Sequence, residues 1–80
     1  MNTHTAIKQR IIDLCEERHW TVNHLAIISA VPQATIKSIL NNESMNPGVV
    51  TIKKLCDGFE ITLKDFFDDK LFEELDQEIQ

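Results

Sequence analysis

The most informative stretch of the chain is residues 31–41, which read Val31-Pro32-Gln33-Ala34-Thr35-Ile36-Lys37-Ser38-Ile39-Leu40-Asn41. Proline is well tolerated only in the first turn of a helix, so a helix is predicted from Pro32 or Gln33 to about Asn41. At about 100° per residue, its apolar side consists of Ile36, Ile39 and Leu40. The other side is polar or small and consists of Gln33, Ala34, Lys37, Ser38 and Asn41.

The polar side has the chemistry that reads a DNA major groove. A glutamine at position 33 can make a bidentate contact with adenine, and a lysine at position 37 can reach guanine or a phosphate. The small Ala34 can sit against a thymine methyl group. This face therefore predicts contact with the base edges of double-stranded DNA.

A shorter helix is predicted immediately before this one in the chain. Thr21 is a natural N-cap for a helix over residues 22–29, whose inward side chains are expected to be Leu25, Ala26 and Ile28. A short helix, a tight link and an amphipathic helix form a helix-turn-helix, which inserts its second helix N-terminus first into the groove.

The rest of the chain predicts further helices. Helical spacing of Ile7, Ile11, Leu14 and Cys15 indicates a first helix from about Ala6 to about His19, capped by Thr5 or Thr3. After a loop over residues 41–48, a fourth helix of about ten residues ends near Gly58, with an inward side made of Val49, Ile52, Leu55, Cys56 and Phe59.

Thr62 and Asp65 resemble a capping box and predict a fifth helix with Leu63, Phe66 and Phe67. No segment alternates as a half-buried strand does, so the fold class is all-α. Helical periodicity continues to the end of the chain through Leu71, Phe72, Leu75 and Ile79. This segment is predicted to be either an extension of the fifth helix or a separate sixth helix. This stripe either covers the domain's own core or pairs two copies, and we favour a dimer interface.

Length and charge describe one small domain with an acidic end. Eighty residues with 42% hydrophobic and 26% charged side chains form a single folded domain with a small core. The net charge is −5, but residues 1–64 carry +1 and residues 65–80 carry −6. We therefore divide the chain into a DNA-binding domain, 1–68, and an acidic C-terminal helical extension, 69–80. The acidic side is expected to point away from DNA, because carboxylates repel phosphates.

Four stretches follow one another in a specific order and spacing. They are residues 21–26, 31–41, 46–55 and 61–67, which read Thr-Val-Asn-His-Leu-Ala, Val-Pro-Gln-Ala-Thr-Ile-Lys-Ser-Ile-Leu-Asn, Asn-Pro-Gly-Val-Val-Thr-Ile-Lys-Lys-Leu and Ile-Thr-Leu-Lys-Asp-Phe-Phe. Together they resemble the Xre-type, lambda-repressor-like (Cro/CI-type) helix-turn-helix family, and the match runs from Ile7 to about Phe67. The resemblance implies a five-helix transcriptional regulator, usually a dimer on pseudo-palindromic DNA and here expected to be a repressor.

The resemblance also implies site residues. Base contacts are expected from Gln33, Ala34, Lys37 and Ser38, and contacts to the DNA backbone from Thr21, Asn41, Asn42 and the loop that follows. Asn23, Lys53 and Lys54 are further candidates for contact with the DNA backbone. Lys53 and Lys54 can equally form a solvated helix face.

Val22 departs from the family pattern, because it replaces a glutamine that commonly reaches a phosphate. Ala30 replaces a frequent glycine; at positive φ it would cost about 1 kcal/mol. Asn42 stands where glycine often ends the helix, and asparagine tolerates the left-handed conformation.

Other chemistry has little support in the sequence. Cys15 and Cys56 are expected to be buried reduced thiols, and the three histidines to be surface residues rather than a metal set. Trp20 is expected to pack in the core or hinge. The paired carboxylates near the end form a solvated face, and no catalytic constellation or cofactor motif is present. Without an apolar span or signal segment, a cytoplasmic location is expected. The alternative function is a protein-interaction module or antitoxin-like partner on the same scaffold.

Overall fold

A computed structural model of the chain describes residues 1–79. It contains five α-helices and one 3-10 turn: α1 (Thr3–Arg18), α2 (Val22–Ser29), α3 (Gln33–Leu40), α4 (Val49–Phe59), α5 (Leu63–Phe67) and the 3-10 turn Lys70–Phe72. No strand occurs among the described residues. The predicted all-α class and its five helices are therefore confirmed.

The helix ends follow local capping chemistry. Thr21 accepts a hydrogen bond from the His24 amide at 3.1 Å and begins α2, as predicted. Thr62 and Asp65 form the predicted capping box of α5. The predicted cap of α1 is wrong: Asn2 caps this helix, accepting from the Thr5 amide at 2.8 Å, so α1 begins three residues earlier than expected.

All five helices contribute to one core. Each places at least one side chain that is 1% exposed or less, and these are Ala6, Ile11, Leu25, Ile36, Ile39, Leu55, Cys56 and Phe66. Cys15 and Cys56 are buried and free, as predicted. No helix of the described chain is long and apolar enough to cross a membrane.

Two side chains predicted to face inward are exposed. Ile28 is 48% exposed because α2 buries Ser29 instead, whose hydroxyl donates to the Leu25 carbonyl at 2.6 Å. Val49 is 64% exposed, since the first turn of α4 lies in solvent and burial begins at Ile52. In both helices the apolar stripe is narrower than its sequence pattern indicates.

The predicted C-terminal helix is also wrong over residues 73–79, which form turns and irregular structure; residue 80 lies outside the described part. The cause is Arg10 of α1, whose guanidinium donates to the carbonyls of Phe66 (2.7 Å) and Asp65 (2.9 Å). A continued helix would use these carbonyls internally. Asp69 then adopts an extended conformation and its side chain caps the 3-10 turn.

The segment after α5 returns to the start of the chain. Phe72 contacts the rings of Phe66 and Phe67, with centroids 6.2 and 5.0 Å away, and packs against the core. Further along, the Asp76 amide donates to the Met1 carbonyl at 3.0 Å. The acidic end of the chain therefore lies beside the N-terminal turn of α1.

Candidate nucleic-acid interface

The two faces of α3 separate as the sequence predicts. Ile36 and Ile39 are 0% and 1% exposed and anchor the helix in the core. Ala34 and Lys37 are exposed, and Gln33 and Ser38 are half-buried. No other element of the described chain covers Ala34 or Lys37, so the polar face is open to a ligand.

The link between α2 and α3 sets where the polar face begins. Ala30 ends α2 at φ 56°, in the left-handed region, where a β-carbon is unfavourable. Val31 is buried at 3% exposure and fixes the link to the core. The Pro32 carbonyl accepts from the Thr35 and Ile36 amides, so α3 begins at Gln33.

The other end of α3 is closed by the loop that follows it. The Ser38 carbonyl accepts from the amides of Glu43 (2.8 Å) and Ser44 (3.0 Å), which folds the loop back onto the helix. Asn42 has φ 63°, the left-handed conformation that asparagine tolerates, and it is exposed together with Asn41. The two amide side chains stand at the edge of the polar face of α3.

His4 is the residue that sequence reasoning missed. It was expected at the surface, but it is only 5% exposed, and its Nε2 atom lies 3.1 Å from the Ile39 carbonyl oxygen of α3. His19 and His24 are exposed, as predicted. The available signal was the helical spacing of position 4 with Ile7 and Ile11, which becomes visible once α1 begins at Thr3.

The predicted backbone contacts occupy different surroundings. Thr21 and Asn23 are exposed at the start of α2, and Lys54 is exposed on α4. Lys53 pairs with Asp57 and lines a groove with Glu60 and Asp65. Its acidic neighbours favour the interpretation of Lys53 as part of a solvated helix face.

Trp20 is half-buried and packs against the core. Its ring stacks on Phe59 with centroids 5.6 Å apart and an interplanar angle of 10°. The Arg18 guanidinium lies 5.8 Å from the Trp20 ring and 5.2 Å from the Phe59 ring. These contacts hold the start of α2 against the end of α4.

The predicted dimer stripe is not a continuous exposed face. Phe72 packs on the core of its own domain, and Leu71 and Leu75 are half-buried. Ile79 is 82% exposed. Covering the domain's own core therefore accounts for Phe72, whereas Ile79 is free to contact a second copy.

The acidic tail, residues 69–79, reaches the loop after α3. Glu78 lines a cavity of about 540 Å³ together with His4 of α1 and residues Met45, Asn46 and Pro47 of that loop. At least one carboxylate of the tail therefore lies beside the loop that follows α3, although the acidic side was expected to point away from DNA.

The described residues hold no cluster of three or more histidine, cysteine or acidic side chains that could bind a metal ion. Burial raises the pKa of both thiols, Cys15 and Cys56, above their usual value. A raised pKa keeps the thiols protonated and poorly nucleophilic near neutral pH. The chemistry available at the surface of α3 is hydrogen bonding and charge.

Residues 10–70 match a family model described as the Cro/C1-type HTH DNA-binding domain. The chain belongs to the Cro/C1-type helix-turn-helix family. Among solved structures, this Cro/C1-type chain is similar to the crystal structure of the prophage Lp1 protein 11, with a TM-score of 0.80 and 26% sequence identity. The similarity covers 94% of this chain and 100% of that one. No curated protein matches the chain. The family supports a DNA-binding regulator.

Proposed function

We propose that the chain is a sequence-specific transcriptional regulator, acting as a repressor, that inserts α3 into the major groove of double-stranded DNA. The observation that carries the proposal is the division of α3. Ile36 and Ile39 are buried in the core, while Ala34 and Lys37 remain uncovered on the opposite side. The proposed role needs no catalysis and places the protein in the cytoplasm. Similarity to a prophage protein supports a phage-type context.

The exposed and half-buried side chains on the polar face of α3 each have a role in the proposal. Gln33 and Lys37 donate to base edges, Ala34 contacts a thymine methyl group, and Ser38 bonds at the far end of the contacted bases. Thr21 and Asn23 at the start of α2, Asn41 and Asn42 at the end of α3, and Lys54 on α4 contact the phosphate backbone in this proposal. The Val22 side chain cannot donate a hydrogen bond, so the start of α2 relies on Thr21 and Asn23.

A dimer is part of the proposal, because two copies are needed to read two half-sites about 34 Å apart. Ile79 at 82% exposure supports contact between copies through the end of the chain. Sedimentation equilibrium of the wild-type chain and of Ile79→Ser tests this part of the proposal. A wild-type chain that stays monomeric at micromolar concentration and on DNA would contradict it.

The test of the proposed function is selection of bound duplexes from a randomised pool, followed by affinity measurements at several salt concentrations. We expect Gln33→Ala to lose about 1 to 3 kcal/mol of discrimination at one base position, and Asn41→Ala to weaken binding to all sequences equally. The proposal is wrong if no member of the pool shows salt-dependent binding to the wild-type protein.

The second candidate function is a protein-interaction module, such as an antitoxin-like partner. It is favoured by exposed aliphatic side chains, Ile27 (73%) on α2 and Val49 (64%) and Val50 (66%) on α4. A low-salt shift assay with generic DNA, compared with a pull-down from lysate, separates the two functions. Retention of a protein partner without any DNA shift would favour the module.

A further inference from the structure

His4 connects the first turn of α1 to the last turn of α3. The two residues in contact, His4 and Ile39, are 35 positions apart in the chain, and the hydrogen bond between them is buried. Because the Nε2 atom faces a carbonyl oxygen, it must carry the proton and act as the donor. The imidazole therefore connects α1 to the end of α3, the helix proposed to enter the major groove.

The second nitrogen of the ring, Nδ1, is a cost of having histidine at this position. Nδ1 is buried and has no hydrogen-bond partner among the described residues. A buried polar atom without a partner is unfavourable, and such cases in folded proteins call for an explanation. An apolar side chain would fill this position without that cost. What histidine adds is the Nε2–H donor to Ile39.

The acceptor of this bond, the Ile39 carbonyl, lies in the last turn of α3, which ends at Leu40. The Ile39 oxygen also accepts from the Asn42 amide at 3.3 Å. A second contact joins the same elements, since Lys8 Nζ donates to the Asn42 side-chain oxygen at 3.4 Å. Two side chains of α1 thus hold the point where Asn41 and Asn42 leave the helix.

We propose that His4 is a positioning residue for DNA binding. Its Nε2–H fixes the last turn of α3 and so sets where Asn41 and Asn42 meet the phosphate backbone. This inference rests on the proposed function and adds a buried residue that is not part of the polar face itself. It predicts a loss of affinity that is the same for every sequence, because the affected contacts are to phosphates.

The experiment compares three variants of the full chain on two duplexes, one selected from the random pool and one unrelated to it. His4→Met fills the space without a donor, and His4→Gln restores an amide N–H near the Nε2 position. Cys15→Ala is the matched control: it also changes a buried side chain of α1, but about 16 Å farther along the helix. Urea unfolding measures the stability of each variant, and binding is measured where all are folded.

We expect His4→Met to weaken binding to both duplexes by about fivefold, and His4→Gln to stay within about twofold of wild type. Cys15→Ala should lose stability and keep its affinity. In the free protein, amide exchange at Asn42 should quicken in His4→Met and not in His4→Gln, which tests the contact without DNA.

The inference is overturned if folded His4→Met binds as wild type does, or if His4→Gln loses as much affinity as His4→Met. The first result would mean that His4 only fills space in the core. The second would mean that the Nε2–H donor does not account for the effect of His4 on binding. If the wild-type chain binds neither duplex, the proposed function itself fails, a result that the wild type alone reveals.

Discussion

Ala30 ends α2 in the left-handed conformation, at φ 56°. A β-carbon is unfavourable in this region, whereas glycine adopts it freely. We expect Ala30→Gly to raise the free energy of unfolding by about 0.5 to 1 kcal/mol, after the greater flexibility of glycine in the unfolded chain is included. Urea unfolding measures the change.

A matched control is Ala26→Gly, which places glycine inside the same helix at a right-handed position. It should lower the free energy of unfolding by about 1 kcal/mol. If Ala30→Gly destabilises the protein as Ala26→Gly does, the conformation described for Ala30 is wrong.

Ionisation of the Cys56 thiol is expected to lower the free energy of unfolding at alkaline pH. Burial raises the pKa of Cys56 above its usual value of 9.0. Below that value the thiol is protonated in both the folded and the unfolded chain. As pH rises past it, the unfolded chain loses the proton first, so the free energy of unfolding falls.

We expect urea unfolding under reducing conditions to show this fall between pH 8 and pH 10. Cys56→Ala should be less stable at pH 8, because it leaves a cavity, but it should lose less stability on going to pH 10. Equal pH dependence in the two proteins would exclude Cys56 as its source.

At the scale of the elements, Gly58 determines how closely α4 approaches α2. A β-carbon at this position would lie 3.0 Å from the Ser29 β-carbon and 3.2 Å from the Ser29 α-carbon. Ser29 is itself held by its hydrogen bond to Leu25. We expect Gly58→Ala to lower the free energy of unfolding by about 1 kcal/mol or more, because the crowding outweighs the gain in helix propensity.

The control is Gly48→Ser, since a β-carbon at Gly48 meets nothing within 4 Å. Serine is also a good N-cap, so this variant should match or slightly exceed the wild type in urea unfolding. A stability gain in Gly58→Ala would show that α2 can move away and that the helices are not closely packed there.

Elements with local signals could be predicted from the sequence. Thr21 and Thr62 cap helices through their own side chains, and Pro32 limits the start of α3, so these boundaries need no knowledge of the rest of the chain. The apolar and polar sides of α3 also follow from spacing alone. The family resemblance rested on these same stretches.

Elements that depend on tertiary contacts could not be predicted in this way. The end of α5 is set by Arg10, which lies 56 positions from Phe66. His4 is buried because Ile39 offers it a carbonyl from another helix. Ile28 is exposed because Gly58 brings α4 against Ser29. Each of these outcomes needs a partner that is distant in the sequence.

At the scale of the whole molecule, the negative charge of the acidic tail is expected to weaken the proposed binding to DNA. Glu78 lines the cavity beside Met45, Asn46 and Pro47, and so lies close to the loop that follows α3. We expect Glu78→Lys to tighten binding to every duplex by about threefold or more at low salt, with the gain shrinking as salt rises.

The control for net charge is Glu73→Lys, which makes the same charge change on an exposed tail residue outside this cavity. Its gain in affinity should be smaller. Equal gains in the two variants, measured by fluorescence anisotropy with one labelled duplex, would mean that overall charge matters and the location of Glu78 does not.

The measurement that bears most directly on the function of α3 is an NMR titration of the isotope-labelled protein with a duplex recovered from the random pool. We expect the largest amide and side-chain shifts at Gln33, Ala34 and Lys37, with smaller ones at Thr21 and Asn41. Shifts confined to α4, α5 or the tail, with α3 unchanged, would contradict insertion of this helix into the groove.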